Sequence, residues 1–426
     1  MKLDGMKLSC FVVLFMLVCF TGDIRAQGGS NYSIIGVGDL TDANGAFYDG
    51  IAGAATAMPS AEHINLSNPA MWTYNKSTRL QFGYRFNQQM VETNRPLASS
   101  NGTIYQNNGM VDNISGIFAI DTAGGISASA GLTRISDINY YIANGFEIEK
   151  DGLTASGKTY YQGQGGINNA HIGAAFRVHD DVSIGMSLGY YFGDIHQSVQ
   201  TIYNESTGYS TDYLRDFRLT GTNYRVGVDV IAAPGLNISA SYAGDLGLDI
   251  ENRLIRLANF STTGLELDTL ESLDGTTNLP ARLGLGASYL LDRLRFVADL
   301  QFTSVSGFEF RPPQNGELKN GLAFAIGAER TPSRFAGARF GEKISYRLGF
   351  GYKDLYYRVN GQDISEYYLG AGLSLPLPGR AIIDIGMLIG QRGTLDAELV
   401  QESFLRLNFA ISIGDSWFIP FEREYD

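Results

Sequence analysis

The sequence predicts an all-β chain: a fourteen-stranded antiparallel transmembrane β-barrel. Three observations lead there. Apolar and polar residues alternate with period two from residue 79 onward, the alternating segments are long enough to cross a bilayer, and the connections between them are short and long in turn.

The alternation is clean in "RLQFGYRFN" (79–87), where Leu80, Phe82, Tyr84 and Phe86 share one face and Gln81, Gly83, Arg85 and Asn87 the other. Side chains of a strand point to opposite faces in turn, so this pattern means one apolar and one polar or small face. It recurs at 282–289 and at 404–413, where Leu405, Leu407, Phe409, Ile411 and Ile413 oppose Arg406, Asn408, Ala410 and Ser412. Fourteen such segments can be placed: 79–90, 112–121, 126–136, 168–178, 182–199, 213–232, 235–248, 280–291, 293–306, 319–331, 343–359, 364–376, 379–392 and 402–414.

Many of these segments run to ten residues or more, whereas globular strands usually have about 5 or 6. A tilted strand needs about 9 to 11 residues to span a bilayer. Even-numbered strands are followed mostly by short turns ("AGG", "HDD", "AP", Asp292, "LP"), and odd-numbered ones mostly by long polar stretches at 91–111, 137–167, 200–212, 249–279 and 307–318. Short periplasmic turns and long extracellular loops organise an outer-membrane barrel, with both termini then periplasmic. One longer turn, 332–342, falls on the short side. An open sheet in lipid leaves unpaired edge groups at several kcal/mol each, so the first and last strands are expected to pair.

Around the barrel (79–414) the remaining pieces take their places. Lys2 and Lys7, the apolar run 8–20 and Ile24-Arg25-Ala26 read as a secretory signal peptide over 1–26. Both cysteines, Cys10 and Cys19, lie inside it, which leaves the exported chain without disulfide, thiolate ligand or thiol nucleophile. The formal charge of −12 and the lack of a basic run argue against a nucleic-acid partner. Residues 27–78 are expected inside the lumen as an N-terminal hatch, where Met58, Ile64, Leu66 and Trp72 are hidden from water, and residues 415–426, through Trp417, Phe418 and Phe421 to Asp426, are expected as a periplasmic tail. The 52 glycines and 48 Phe plus Tyr suit a closed sheet facing lipid.

Three motifs carry no chemistry in this setting. "GLTASGKT" (152–159) matches the phosphate-loop pattern, but no helix follows it, and a polar loop is expected. "GMSLG" (185–189) matches the nucleophile-elbow pattern, yet Ser187 sits within an alternating strand. His63, His171, His179 and His196 lack metal-ligand spacing. No catalytic residue, metal or cofactor is expected, and no nucleophile–base pair can be nominated from the sequence. The charges on the polar faces, Arg85, Arg225, Asp229, Arg282, Arg295, Asp299, Glu329, Arg347, Asp384 and Arg406, have two readings. They form an ion-pair network in the lumen, or one or two arginines meet a ligand carboxylate.

"GIAGAATAMPSAEHINLSNPAMW" (50–72), "LPARLGLGASYLLDRLRFVADLQFTSVSGFEF" (279–310), "RLGFGYKDLYYRVNGQDISEYYLGAGLSLPLP" (347–378), "GQRGT" (390–394) and "DSWFIPFEREYD" (415–426) resemble the FadL-type transporters of long-chain fatty acids and aromatic hydrocarbons. The C-terminal third is similar to members from Bacteroidetes-type bacteria. The resemblance implies a fourteen-stranded barrel whose N-terminal segment is a hatch, with Asn68, Pro69 and Ala70 as its motif. It further implies that an apolar ligand binds in the lumen and leaves sideways through a distorted early strand, for which Gly131 in the third strand is the expected gate. Met58, Ile64, Leu66, Met71 and Trp72, with Arg85, Arg347 and Arg406 for a carboxylate, are the expected ligand residues.

Two functions follow from these expectations. One is passive transport of a hydrophobic small molecule such as a fatty acid into the lipid bilayer. The other is a FadL-like barrel that does not transport and docks partner proteins in secretion or surface attachment, using acidic stretches such as 249–279 with Glu251, Glu266, Asp268, Glu271 and Asp274.

Overall fold

The structure, a computed structural model, describes residues 29–415 apart from 42–43, 95–102, 151–152, 205–209, 261–263, 311–315, 334 and 336. The expected signal peptide and C-terminal tail lie outside the described residues. A two-residue strand, β1 (Asp39–Leu40), belongs to the N-terminal segment. The wall is built from β2 (Thr78–Thr93), β3 (Thr103–Asp121), β4 (Ile126–Arg134), β5 (Ser136–Lys150), β6 (Leu153–Gly165), β7 (Asn168–His179), β8 (Val182–Tyr203), β9 (Ser210–Ala233) and β10 (Leu236–Phe260). It continues with β11 (Gly264–Thr277), β12 (Ala281–Leu291), β13 (Leu294–Ser304), β14 (Gly316–Leu318), β15 (Gly321–Arg330), β16 (Ser345–Val359), β17 (Gln362–Pro376), β18 (Ala381–Gly393) and β19 (Val400–Asp415).

These segments form fourteen barrel positions, because four positions are each broken in two: β4 with β5, β6 with β7, β11 with β12, and β14 with β15. Every neighbouring pair is antiparallel, and the last strand closes on the first, from Thr78↔Asp415 to Thr93↔Val400. Closure leaves neither strand with an unpaired edge in lipid. The expected apolar face points outward, with Leu80, Phe82, Leu283, Leu285, Ile411 and Ile413 exposed. Gln81, Arg347, Asp384, Asn408 and Ser412 are buried on the inner side.

Four of the five stretches read as long loops are mostly strand. Residues 137–150, 153–165, 249–260 and 264–277 belong to β5, β6, β10 and β11, β2 and β3 take much of 91–111, and β8 and β9 take 200–203 and 210–212. The ladder continues because a hairpin needs no lipid to stay paired. β9 and β10 reach 24 and 25 residues, so their outer halves project past the membrane. Leu153–Thr159 of the phosphate-loop match lies in β6, paired with β5, which corrects the expected loop and gives phosphate no backbone cradle. Ser187 of the elbow match lies in the β8 ladder opposite Arg225.

Residues 29–77 pack inside the barrel. A 3-10 turn (Asn31–Ile34) lies against β5, a short helix (Ala46–Asp49) against β17, β18 and β19, and a second 3-10 turn (Pro69–Tyr74) against β4, β7, β8 and β9. Wall glycines make room for it. A Cβ on Gly349 would come within 2.5 Å of Ile51, one on Gly370 within 2.7 Å of Ala52, and one on Gly227 would overlap Asn68. Much of the glycine content is therefore contact surface for the plug. At the end opposite the Thr78–Asp415 pairing, Tyr32, Ile35 and Val37 join Ile138, Tyr140, Phe308, Phe310, Tyr356 and Tyr357 in one apolar cluster across the lumen.

Candidate functional site

The inner wall presents its charges to the backbone of the N-terminal segment. Asp299 on β13 accepts hydrogen bonds from the amides of Ala55 and Thr56 at 2.7 and 2.6 Å, and Arg295 donates to the Pro59 carbonyl at 2.8 Å. Arg225 donates to the Leu66 and Ser67 carbonyls at 2.7 and 3.1 Å, and Arg282 to that of Thr41 at 3.1 Å. These contacts satisfy irregular backbone that would otherwise be buried unpaired. Asn68 caps the second 3-10 turn through Ala70 N at 3.0 Å and donates to Thr56 O at 2.8 Å, so the Asn68-Pro69-Ala70 motif is a local fold element seated on β8 and β9.

Nearer the end opposite the Thr78–Asp415 pairing, Arg392 pairs with Asp39 at 2.7 Å and with Glu366 at 2.6 Å, and Arg406 pairs with Glu366 at 2.9 Å. Glu402 accepts from Ser30 Oγ at 2.7 Å and from Asn31 N at 2.6 Å. Arg85 pairs with Asp112 at 2.9 Å and lies 3.7 Å from Asp49, whose carboxylate also accepts from Asn408 at 3.0 Å. Burial is the main force raising the Asp49 carboxyl above its ordinary pKa, with Arg85 opposing it.

Deeper in the plug, Phe47 is sandwiched. The His63 ring stacks on it at 3.7 Å, and the Arg347 guanidinium lies 4.2 Å from its centroid. Both flanking residues turn toward Asp384, His63 Nε2 at 3.0 Å and Arg347 at 3.8 Å. Ser60 Oγ sits 2.9 Å from His63 Nδ1. The fold thus assembles a Ser–His–Asp chain that the sequence spacing did not reveal, because Asp384 is far away in sequence. Ser60 Oγ also accepts from the amides of Glu62 and His63, which makes it the cap of a tight turn.

Among the described residues, a cavity of about 130 Å³ lies in the lumen. Its lining includes Asp39, Asp49, Arg85, Glu366, Arg392 and Arg406, together with apolar and aromatic groups such as Leu40, Met110, Leu322, Leu355, Tyr356 and Leu388. Two of the expected ligand residues, Arg85 and Arg406, are therefore brought together, while Arg347 is held apart beside Phe47. Met58, Ile64 and Trp72 are buried and Leu66 partly buried, in clusters that glue the plug to Val297, Ala325, Ile117 and Ala175, and Met71 is buried as well. None of these five lines the cavity, and neither does Ser60.

Beside this cavity the wall changes character. Gly131 lies in an unbroken ladder between Ser115 and His171, so the bulge expected there is absent. The break comes later, at Ile135 and at Gly165-Gly166, whose φ of 117° and 134° belong to glycine. "GQGG" at 163–166 was the overlooked signal. Beyond the break β5 leaves β3 and pairs with β1 and β6, so among the described residues the outer part of β3 has strand pairing on one side alone. Side chains close the seam: Gln106 donates to the Tyr141 carbonyl at 3.0 Å and Asn108 to Asp137 at 3.2 Å.

Comparison with solved structures places this architecture. The fold is similar to the CymD monoaromatic hydrocarbon channel (14% identity, 92% of this chain and 100% of that chain, TM-score 0.59). It is also similar to a Pseudomonas aeruginosa FadL homologue (12%, 89% and 98%, 0.57) and to the Ralstonia pickettii toluene transporter TbuX (15%, 87% and 98%, 0.54). At these identities the likeness establishes a FadL-type barrel fold. A search of curated protein sequences finds no match. The family model described as BamG matches residues 6–425, and the chain, a FadL-type barrel in its fold, belongs to the BamG family.

Proposed function

We propose that this protein is an outer-membrane docking barrel, a FadL-like wall without a transport path, which serves partner proteins in secretion or surface attachment. The lumen carries this reading. The N-terminal segment is bonded to the wall by Asp299, Arg295, Arg225, Arg282, Arg392 and Glu402, and the lumen cavity beside it is small and carries charged groups in its lining. Pockets for organic ligands are mostly apolar and hold about 300–1,000 Å³. A long-chain fatty acid would outgrow this cavity, and any ligand in it would strip water from Arg, Asp and Glu side chains.

In this reading the function lies on the hairpins that project beyond the membrane. Shortening the β10–β11 hairpin between Asp249 and Thr276 should leave the barrel folded and release a partner that co-purifies stoichiometrically with the native protein in mild detergent. Native protein that purifies alone, and carries labelled fatty acid into vesicles, would overturn it.

The seam between β3 and β5 favours a second reading, passive transport of a hydrophobic molecule with lateral release into the bilayer. A gap closed by Gln106 and Asn108 side chains opens at far lower cost than a backbone ladder. Uptake of toluene or a fatty acid into proteoliposomes, accelerated by Gln106→Ala with Asn108→Ala, supports it. Absence of both binding and uptake removes it. Both readings put the short-turn end, with Thr78 and Asp415, in the periplasm.

A further inference from the structure

At the barrel end where Thr78 and Asp415 meet, most connections are two to four residues long, but the link from β15 to β16 runs over fourteen, Thr331–Ile344. From residue 330 to 343 the sequence carries Arg330, Arg334, Arg339 and Lys343 against a single acid, Glu342, in a chain of net charge −12. The link is held in shape: Arg293 donates to the carbonyls of Thr331 and Glu342 at 3.1 and 2.9 Å, and Ser333 N to that of Glu342 at 2.7 Å. It nevertheless displays Phe335 and Phe340 at 73% and 51% exposure. Aromatic rings beside cations suit the headgroup layer of a membrane, where the ring meets acyl chains and the cation meets phosphate.

The wall next to this link is indented. Tyr289, Phe296, Ile326, Leu348 and Phe350 rim an apolar groove of about 640 Å³ on the outer face, with Ala298 and Ala328 among its lining. Arg330 follows Ala328 on the outward row of β15, about 7 Å farther along the strand. It lies between Leu294 and Tyr346, its guanidinium 5.6 Å from the Tyr346 ring. A molecule lying in the groove along β15 therefore meets a cation where the apolar surface ends.

We infer that the groove, Arg330 and Arg339 form one binding site for an anionic phospholipid, with an acyl chain against Ala298 and Ala328 and the phosphate at the two arginines. Charge complementarity selects this occupant, since the basic stretch stands out from an acidic chain directly beside lipid-facing apolar wall. The site is separate from the lumen and holds for either reading of the barrel's function.

Native mass spectrometry of the full chain, extracted in mild detergent and mixed with phosphatidylglycerol or phosphatidylcholine, tests it. Phosphatidylglycerol should be retained in preference to phosphatidylcholine, and Arg330→Ala with Arg339→Ala should lower that retention by about tenfold. Arg218→Ala, an exposed change on β9 away from the link, should leave it unchanged. Ala298→Phe should displace the lipid with both arginines in place. Glycerol phosphate, which has no acyl chain, should fail to compete, and its competing would reduce the site to a free-phosphate site. Equal retention of the two lipids, or retention by the double arginine variant equal to that of Arg218→Ala, overturns the inference.

Discussion

Arg392 of β18 holds Asp39 of the N-terminal segment through both carboxylate oxygens, at 2.8 and 2.7 Å, while its other terminal nitrogen holds Glu366 of β17 at 2.6 Å. One wall cation thus fastens the plug and balances a wall acid. Replacing Asp39 with Asn keeps the shape, removes one charge and leaves Glu366 in place. Because Asp39 borders the lumen cavity, the expected loss is about 1–3 kcal/mol, below that for a dry pair. Asp39→Asn should lower the temperature at which the barrel unfolds on a gel and speed proteolysis of residues 29–77. An unchanged protease pattern would mean the pair does not fasten the plug.

Gly227 of β9 faces Asn68, and an added Cβ would overlap the Asn68 side-chain oxygen that caps Ala70. Gly227→Ala should cost about 1–3 kcal/mol through overpacking. Adding Asn68→Ala removes the overlapping atom, so the double variant should lose less than the sum of the singles. Additive losses in denaturant midpoints would show that the two residues do not meet.

Among the described residues Trp72 is the largest fully buried side chain, packed with Ile64, Ile117 and Ala175, and its Nε1 donates to Asn65 O at 2.6 Å. Trp72→Ala should cost about 3–5 kcal/mol, by lost burial and the cavity left behind. Trp72→Phe keeps most of the ring and strands one carbonyl, for about 1–3 kcal/mol. Equal losses for both variants would place the energy in the hydrogen bond alone.

The strand wall was legible because its signal is local: Leu80, Phe82, Ile411 and Ile413 declare the lipid face two residues at a time. The inward path of residues 50–72 was legible from its apolar content, since Met58, Ile64 and Trp72 needed cover from water. What those residues touch was not. The sequence made Met58 and Trp72 ligand contacts, whereas Ala325 and Ile117, distant in the chain, make them plug-to-wall packing. The gate illustrates the same limit. Gly131 sat in the expected strand, but the wall breaks where Gly165 and Gly166 adopt positive φ, a backbone property that composition does not reveal.

Asp49 gives a pH dependence of definite sign. Burial is the largest influence on its carboxyl and raises the pKa; Arg85 opposes this, Asp112 adds to it and Asn408 opposes it, with a net upward shift. The folded state therefore binds this proton more tightly than the unfolded chain does. The associated stability is full below the unfolded value of about 3.9 and is lost as pH rises through the folded value. Asp49→Asn removes the titration and keeps an acceptor for Arg85. Wild type should thus show its greatest stability relative to Asp49→Asn at acid pH, with the difference shrinking as pH rises to neutrality, in unfolding midpoints measured across that range. A wild-type advantage that grows with pH would mean that the attraction of Arg85 outweighs the cost of burying the charge.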